Sequence, residues 1–268
     1  MGAILAAMTA ADITSPSNPR IKRLVGLRDR RPRDLESVYV VEGEPDIDRA
    51  VAAGRRPVEV YYDPERYRSS PYPAGVELAV EGPALDKASY RGRSQSVIAV
   101  FEQFPVSLDS LTPGRDPLVL MIEAIEKPGN LGAMLRTADA VAADAVIAAD
   151  PGTDPFNPNV IRAATGALFT VPIAVTDLPT AVAWLQEREI RIVAADPRGA
   201  TALWDIDLTG RRALVVGSEH RGLSDAAGAA ADVTVAIPMH GITDSLNASV
   251  SMALLAYEAL RQRSGRTT

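Results

Sequence analysis

The sequence has no cysteine, which excludes disulfides, thiolate metal sites and a cysteine nucleophile. It has two histidines, His220 and His240, too few for a histidine-rich metal centre, and no metal is expected. No run of 18 apolar residues occurs, so no membrane-spanning helix is predicted. The apolar N-terminal start, MGAILAAMTAADI, lacks the basic flank of a signal peptide, and residues 1–16 read as a disordered tail. A reducing cytoplasm is the expected location. Two nucleotide signatures are also missing. The turn after the apolar run at 118–123 carries only Gly129 and Gly132 where a dinucleotide fingerprint needs three glycines, and no phosphate loop with G-K-[ST] is present. A nucleotide-dependent α/β enzyme is therefore disfavoured.

An apolar content of 47% over 268 residues is enough for one large core or two modest ones. The formal charge of -6 argues against indiscriminate binding to nucleic acid, yet it is unevenly spread. Arg20, Lys22, Arg23, Arg28, Arg30, Arg31 and Arg33 crowd into residues 17–33 against one acid, Asp29. Such a run suits local contact with a polyanion, and it equally suits a salt-bridged helix face.

Periodicity separates two regions. Residues 18–30 read as a helix with Ile21, Leu24, Val25 and Leu27 on one side and Ser17 or Asn18 as cap. Strands at 38–41, 58–62 and 96–101 and a helix at 46–53 complete a first unit, 17–102, followed by a Pro-containing linker, 103–116. From 117 to 268 strands and helices alternate: strands at 118–123, 145–149, 168–174, 190–195, 213–216 and 233–237, helices at 131–142 and 179–189, and a terminal helix at about 246–262. Continuous apolar strands separated by helices predict a parallel sheet covered on both faces, with ligands beyond the carboxyl ends of its strands.

Three polar stretches fall at such ends. IEKPGNLGAMLRTADA (Ile125–Ala140) opens a helix: Pro128 and Gly129 turn, Asn130 can cap, Gly132 permits close backbone approach, and Arg136 follows in the second turn. LVVGSEHRGLS (Leu214–Ser224) runs a strand into small residues with one acid, Glu219. IPMHGITDSLNAS (Ile237–Ser249) ends a strand and leads through Ser245 and Asn247, both capable of capping, into the last helix. Val250, Ala253, Leu254, Tyr257 and Leu260 form an apolar stripe there, suited to a core or a subunit contact.

In this order and spacing, N-L-G-A-x-x-R, G-S-E-x-x-G and I-P-M-x-G-x-x-x-S-L-N-x-S resemble the three signature motifs of the SpoU (TrmH) family of RNA 2'-O-ribose methyltransferases in the SPOUT superfamily. The likeness covers about the last 150 residues. Residues 17–102, with VVEG at Val40–Gly43, more weakly resemble the small ribosomal-protein-like RNA-binding domain that precedes the catalytic one in many members.

The resemblance implies an α/β fold whose C-terminal segment threads through a loop as a deep trefoil knot, an exception to the usual rule against threading. It implies S-adenosylmethionine as cofactor and S-adenosylhomocysteine as product, with Ala195, Gly217, Glu219, Ile237, Met239 and Leu246 as cofactor contacts. Arg136, Asn130, Glu219, Ser245 and Asn247 become the catalytic set. Arg20, Lys22, Arg23, Arg28, Arg30 and Arg162 become RNA contacts. A homodimer is expected, and large-subunit ribosomal RNA is the favoured substrate. A transfer-RNA methyltransferase and a non-catalytic RNA- or ribosome-binding protein of the same fold are the alternatives.

Overall fold

The computed structural model describes residues 11–67, 72–90, 96–218 and 221–265. The chain divides into two compact units, one reaching to Phe104 and including Phe156–Pro158, the other formed by the rest.

The first unit is built from α1 (Pro19–Gly26), α2 (Arg30–Glu36), β1 (Val38–Glu42), α3 (Glu44–Ala52), β2 (Pro57–Tyr62), β3 (Val76–Ala79), α4 (Gly82–Ala88) and β4 (Val97–Glu102). Its sheet runs β1-β4-β2-β3, mixed in direction. Ile21, Leu24 and Leu27 pack with Leu85, Ile98 and Val100 on one face. The predicted single helix over 18–30 is two helices. Asn18 does cap the first, accepting from Arg20 N at 2.9 Å, but the chain turns at Leu27 and restarts after Asp29.

Of the expected disordered tail, residues 1–10 lie outside the described residues, and the reading needs correction at Asp12 and Ile13. Asp12 accepts from Ala79 N, and Ile13 is buried and bridges Val80 at the sheet edge. A β-branched apolar residue beside an unpaired edge strand has somewhere to pack, which composition alone did not reveal.

The second unit contains β5 (Leu118–Glu123), α5 (Pro128–Ala140), β6 (Ala145–Ala149), α6 (Pro158–Ala164), α7 (Ala167–Thr170), β7 (Ile173–Thr176), α8 (Leu178–Glu187), β8 (Arg191–Ala195), β9 (Thr201–Ala202), β10 (Arg212–Val216), α9 (Asp225–Ala230), β11 (Val233–Ala236) and α10 (Ala248–Ser264). The seven strands lie in the order β7-β6-β5-β10-β8-β11-β9, and every recorded pairing is parallel. All residues of β5 and β6 are buried, as a sheet covered on both faces requires. One face packs on α8 through Ala181, Trp184 and Leu185. The other meets α5 and α10 through Leu131, Met134, Met252 and Leu255. The expected strand at 168–174 begins instead as α7, because a short apolar run does not by itself distinguish strand from buried helix.

Leu108 and Leu111, in the stretch read as a linker, sit in this second core. The stripe expected on α10 is also redistributed: Met252, Leu255, Ala256 and Ala259 are buried, while Val250, Leu254 and Tyr257 are 46%, 36% and 53% exposed. At its far end α10 is tied down. Arg263 donates to the carbonyls of Asp116 (2.9 Å), Pro117 (3.3 Å), Leu208 (3.3 Å) and Gly210, and Gln262 bonds Ile206 O and Leu208 N. No helix among the described residues is long and apolar enough to cross a membrane.

Candidate active site

The sheet reverses its direction of growth at β5: β6 and β7 extend to one side, β10, β8 and β11 to the other. Ligand crevices in open parallel sheets form near such reversals, beyond the strands' carboxyl ends. A cavity of about 500 Å³ lies beyond the carboxyl ends of β8, β10 and β11, walled by Ala195 at the end of β8, Val216 and Gly217 at and after the end of β10, and Val235, Ile237 and Met239 at and after β11. Ser245 and Leu246 close it from the loop that leads into α10. Five of the six residues expected at a cofactor thus converge on one cavity. The sixth, Glu219, lies outside the described residues, as does His220.

The local chemistry explains the small residues. A Cβ on Gly217 would fall 2.1 Å from the Gly222 carbonyl carbon, so only glycine lets this turn close on itself. The closure is a pair of backbone bonds, Ser218 N to Gly222 O at 3.0 Å and Gly222 N to Ser218 O at 2.9 Å, with Gly222 at a φ of 67°. Gly132 performs the same service in α5, where a Cβ would sit 2.4 Å from that of Ala163 on α6. The close approach anticipated at Gly132 is therefore between helices.

Asn130 does not cap its helix. Lys127 holds that position and Asn130 stands in the first turn, where its Oδ1 accepts from Asn247 Nδ2 at 3.3 Å. Asn247 is the cap of α10, its Oδ1 accepting from Ser249 N at 2.9 Å and Ser249 Oγ at 2.6 Å. Ser245 caps nothing and lines the cavity. The first and third motifs, separated by more than 100 residues, are linked at their polar ends by this amide pair.

Arg136 lies one helical face along from Asn130, exposed, and among the described residues it makes no hydrogen bond or ion pair. An arginine left unpaired on a protein that pairs most of its others is a guanidinium available to an external anion. One residue that sequence reading passed over is Glu123. At the end of β5 it is buried, and its carboxylate accepts from Ser224 N at 2.9 Å, pinning the exit of the Gly217–Ser224 turn. A lone acid ending an apolar strand was the available signal. Asp196, also unremarked, lines the cavity with its carboxylate held by Arg198 at 3.1 and 3.2 Å. That bond keeps it below the ordinary carboxylate range.

The basic run of the first unit is largely consumed internally. Arg23 bonds Glu36 and Glu59, Arg28 donates to the carbonyls of Lys87, Ala88 and Ser89, and Arg30 pairs with Asp34. Arg33 is buried, donating to Leu27 O and Arg28 O. Arg20 is exposed near the Tyr61 hydroxyl, which burial and its bond to Glu59 push up to about 12. Lys22 and Arg31 are exposed with side chains that have no partner among the described residues. Arg162, half-buried, donates to Asn159 at 2.5 Å.

A parallel α/β domain with polar loops converging on a nucleoside-sized cavity defines a small-ligand-binding enzyme class. Residues 117–257 match the model of the SpoU rRNA methylase family, and residues 18–99 that of the MRM3-like substrate-binding domain. The chain belongs to the SpoU rRNA methylase family. It is 32% identical to a 23S rRNA (uridine(2479)-2'-O)-methyltransferase of Streptomyces viridochromogenes, over 91% of this chain and 89% of that one. It is 28% identical to a 23S rRNA (guanosine(2553)-2'-O)-methyltransferase of Bacillus subtilis, over 91% and 97%. Among solved structures it is similar to the SpoU methyltransferase AviRb of Streptomyces viridochromogenes in complex with AdoMet, with a TM-score of 0.85, 30% identity and coverage of 91% and 98%.

Proposed function

We propose that the protein transfers a methyl group from S-adenosylmethionine to the 2'-hydroxyl of a ribose in large-subunit ribosomal RNA. The observation that carries this reading is the Asn130–Asn247 bond, which joins the helix bearing the unpaired Arg136 to the loop that closes the cavity. The cavity suits the cofactor: about 500 Å³, with apolar Val216, Ile237 and Leu246 for a heterocycle and hydroxyls of Ser218 and Ser245 beside them. Glycine at 217, where any Cβ would collide with Gly222, keeps its wall thin.

When bound, S-adenosylmethionine supplies an electrophilic methyl on a positively charged sulfur. The chain's own groups must hold the ribose oxygen in line with that methyl, assist loss of its proton and exclude water. As the methyl is delivered, the 2'-hydroxyl would give up its proton to the neighbouring phosphate or to water, leaving S-adenosylhomocysteine as the other product. A guanidinium offers hydrogen-bond donors and no acceptor, so Arg136 takes the part of a clamp rather than a general base. Its guanidinium clamps the phosphate beside the target ribose and stabilises charge developing on the oxygen. Asn130 and Asn247 keep α5 and the third loop in register, with Glu219 and Ser245 completing the polar set.

The proposal includes the trefoil knot, with Gln262 and Arg263 fastening the helix that follows the threaded segment to the carbonyls of the loop between β9 and β10. The uncovered apolar row of Val250, Leu254 and Tyr257 supports a homodimer through α10. Light scattering should give a dimer for the wild type and a monomer for a Leu254→Glu, Tyr257→Glu variant, and a monomeric wild type would remove this geometry. The function itself is tested by incubating ribosomal and transfer RNA fractions with methyl-labelled cofactor and mapping the label. Ribose methylation at one position of the large-subunit RNA is expected; label confined to transfer RNA or to bases would overturn the substrate assignment.

A further inference from the structure

Among the described residues, four charged ones line the cavity: Asp196, Arg198, Arg221 and Asp244. The first two satisfy each other. The other two do not. Arg221 stands in the tight turn of the second motif, where its backbone N bonds Ser218 Oγ at 3.2 Å, and its exposed guanidinium has no partner among the described residues. Asp244 stands in the loop of the third motif, exposed and likewise without a partner among them. They come from different loops and form no ion pair with each other, so one wall of the cavity carries an open positive charge and another an open negative one. Opposite charges on the same cavity that are kept from pairing are complementary to a ligand bearing both signs on neighbouring atoms.

We infer that Arg221 and Asp244 together recognise the zwitterionic α-amino acid end of the cofactor, Arg221 taking the carboxylate and Asp244 the ammonium group. This rests on the methyltransferase reading above and makes these two residues specificity determinants for that reaction. A planar guanidinium accepts a carboxylate through two parallel N–H bonds, and a carboxylate is the natural acceptor for an ammonium group. Both residues are exposed, so each contact is screened and the expected effect is moderate.

Calorimetric titration of the full chain with S-adenosylhomocysteine and with 5'-methylthioadenosine tests the assignment, because the second ligand keeps the thioether nucleoside and lacks the amino acid. Wild type should prefer S-adenosylhomocysteine. Arg221→Gln and Asp244→Asn should each weaken that ligand about tenfold while leaving methylthioadenosine unchanged, which also shows that the cavity is intact. Variants that leave both affinities unchanged, or weaken both ligands alike, would overturn the inference; an Arg221 variant that loses only RNA affinity would assign that residue to phosphate instead and overturn it too. A wild type that binds neither ligand would overturn the methyltransferase reading as well, so the two failures are distinct.

Discussion

The basic run of the first unit and the carboxyl edge of the second unit's sheet treat most of their arginines differently. In the first, arginines are turned inward: Arg23, Arg28 and Arg33 fasten helices to carbonyls and carboxylates. In the second, at the carboxyl edge of the sheet, Arg136 and Arg221 have side chains without partners among the described residues. A charge that folding has already satisfied contributes to stability, and one left open is available to a ligand. Density of positive charge along the sequence is therefore a poor guide to the binding surface.

The sharpest way to break this comparison is Arg136→Lys, which keeps the charge and loses the two-pronged donor. We expect kcat to fall about 100- to 1,000-fold with S-adenosylhomocysteine binding unchanged, measured by single-turnover methylation and calorimetry; near-normal turnover would remove the clamp. Next, Gly217→Ala should cost about 2–3 kcal/mol or more in urea unfolding, because its Cβ meets backbone atoms that cannot step aside.

In the first unit, Arg33→Met should destabilise by about 2 kcal/mol, leaving Leu27 and Arg28 carbonyls unpaired. Lys22→Ala with Arg31→Ala should leave the melting temperature unchanged and lower the salt slope of RNA binding by about 1.4–1.8, the share of two phosphate contacts. If Arg33→Met weakened RNA binding in a stably folded protein, or the double variant lost stability, the division between satisfied and open charges would fail.

The smallest effect concerns pH. Glu258 on α10 accepts from Arg261 and Gln262, and the Arg261 bond above all holds its carboxyl down to about 2, against an ordinary value near 4.5. The resulting stabilisation is complete above the ordinary value and drains away as pH falls toward 2. The difference in unfolding midpoint between wild type and Glu258→Gln should therefore be largest near neutrality and shrink as acid approaches pH of about 2.

Much of the second unit could be read ahead of the structure, because parallel strands buried on both faces are written as unbroken apolar runs and the polar motifs interrupt them at their ends. The first unit was less legible. Its strand at 76–79 and helix at 82–88 are short and mixed in polarity, and the anchoring of Ile13 depends on a sheet edge assembled from residues far along the chain. On α10 the hydrophobic pattern runs around the helix, so spacing did not reveal that the alanine-rich side faces inward. Glu123 was overlooked because its partner is a backbone amide 101 residues away, a contact that side-chain identity does not encode.

Arg263 carries one further implication. The carbonyls it gathers belong to the residues just before β5 and to the loop just before β10, which become neighbours only when those strands lie side by side. The last turn of α10 is thus a keystone that fits only after the arch is raised, and it reports whether the sheet beneath it has been assembled in the correct order.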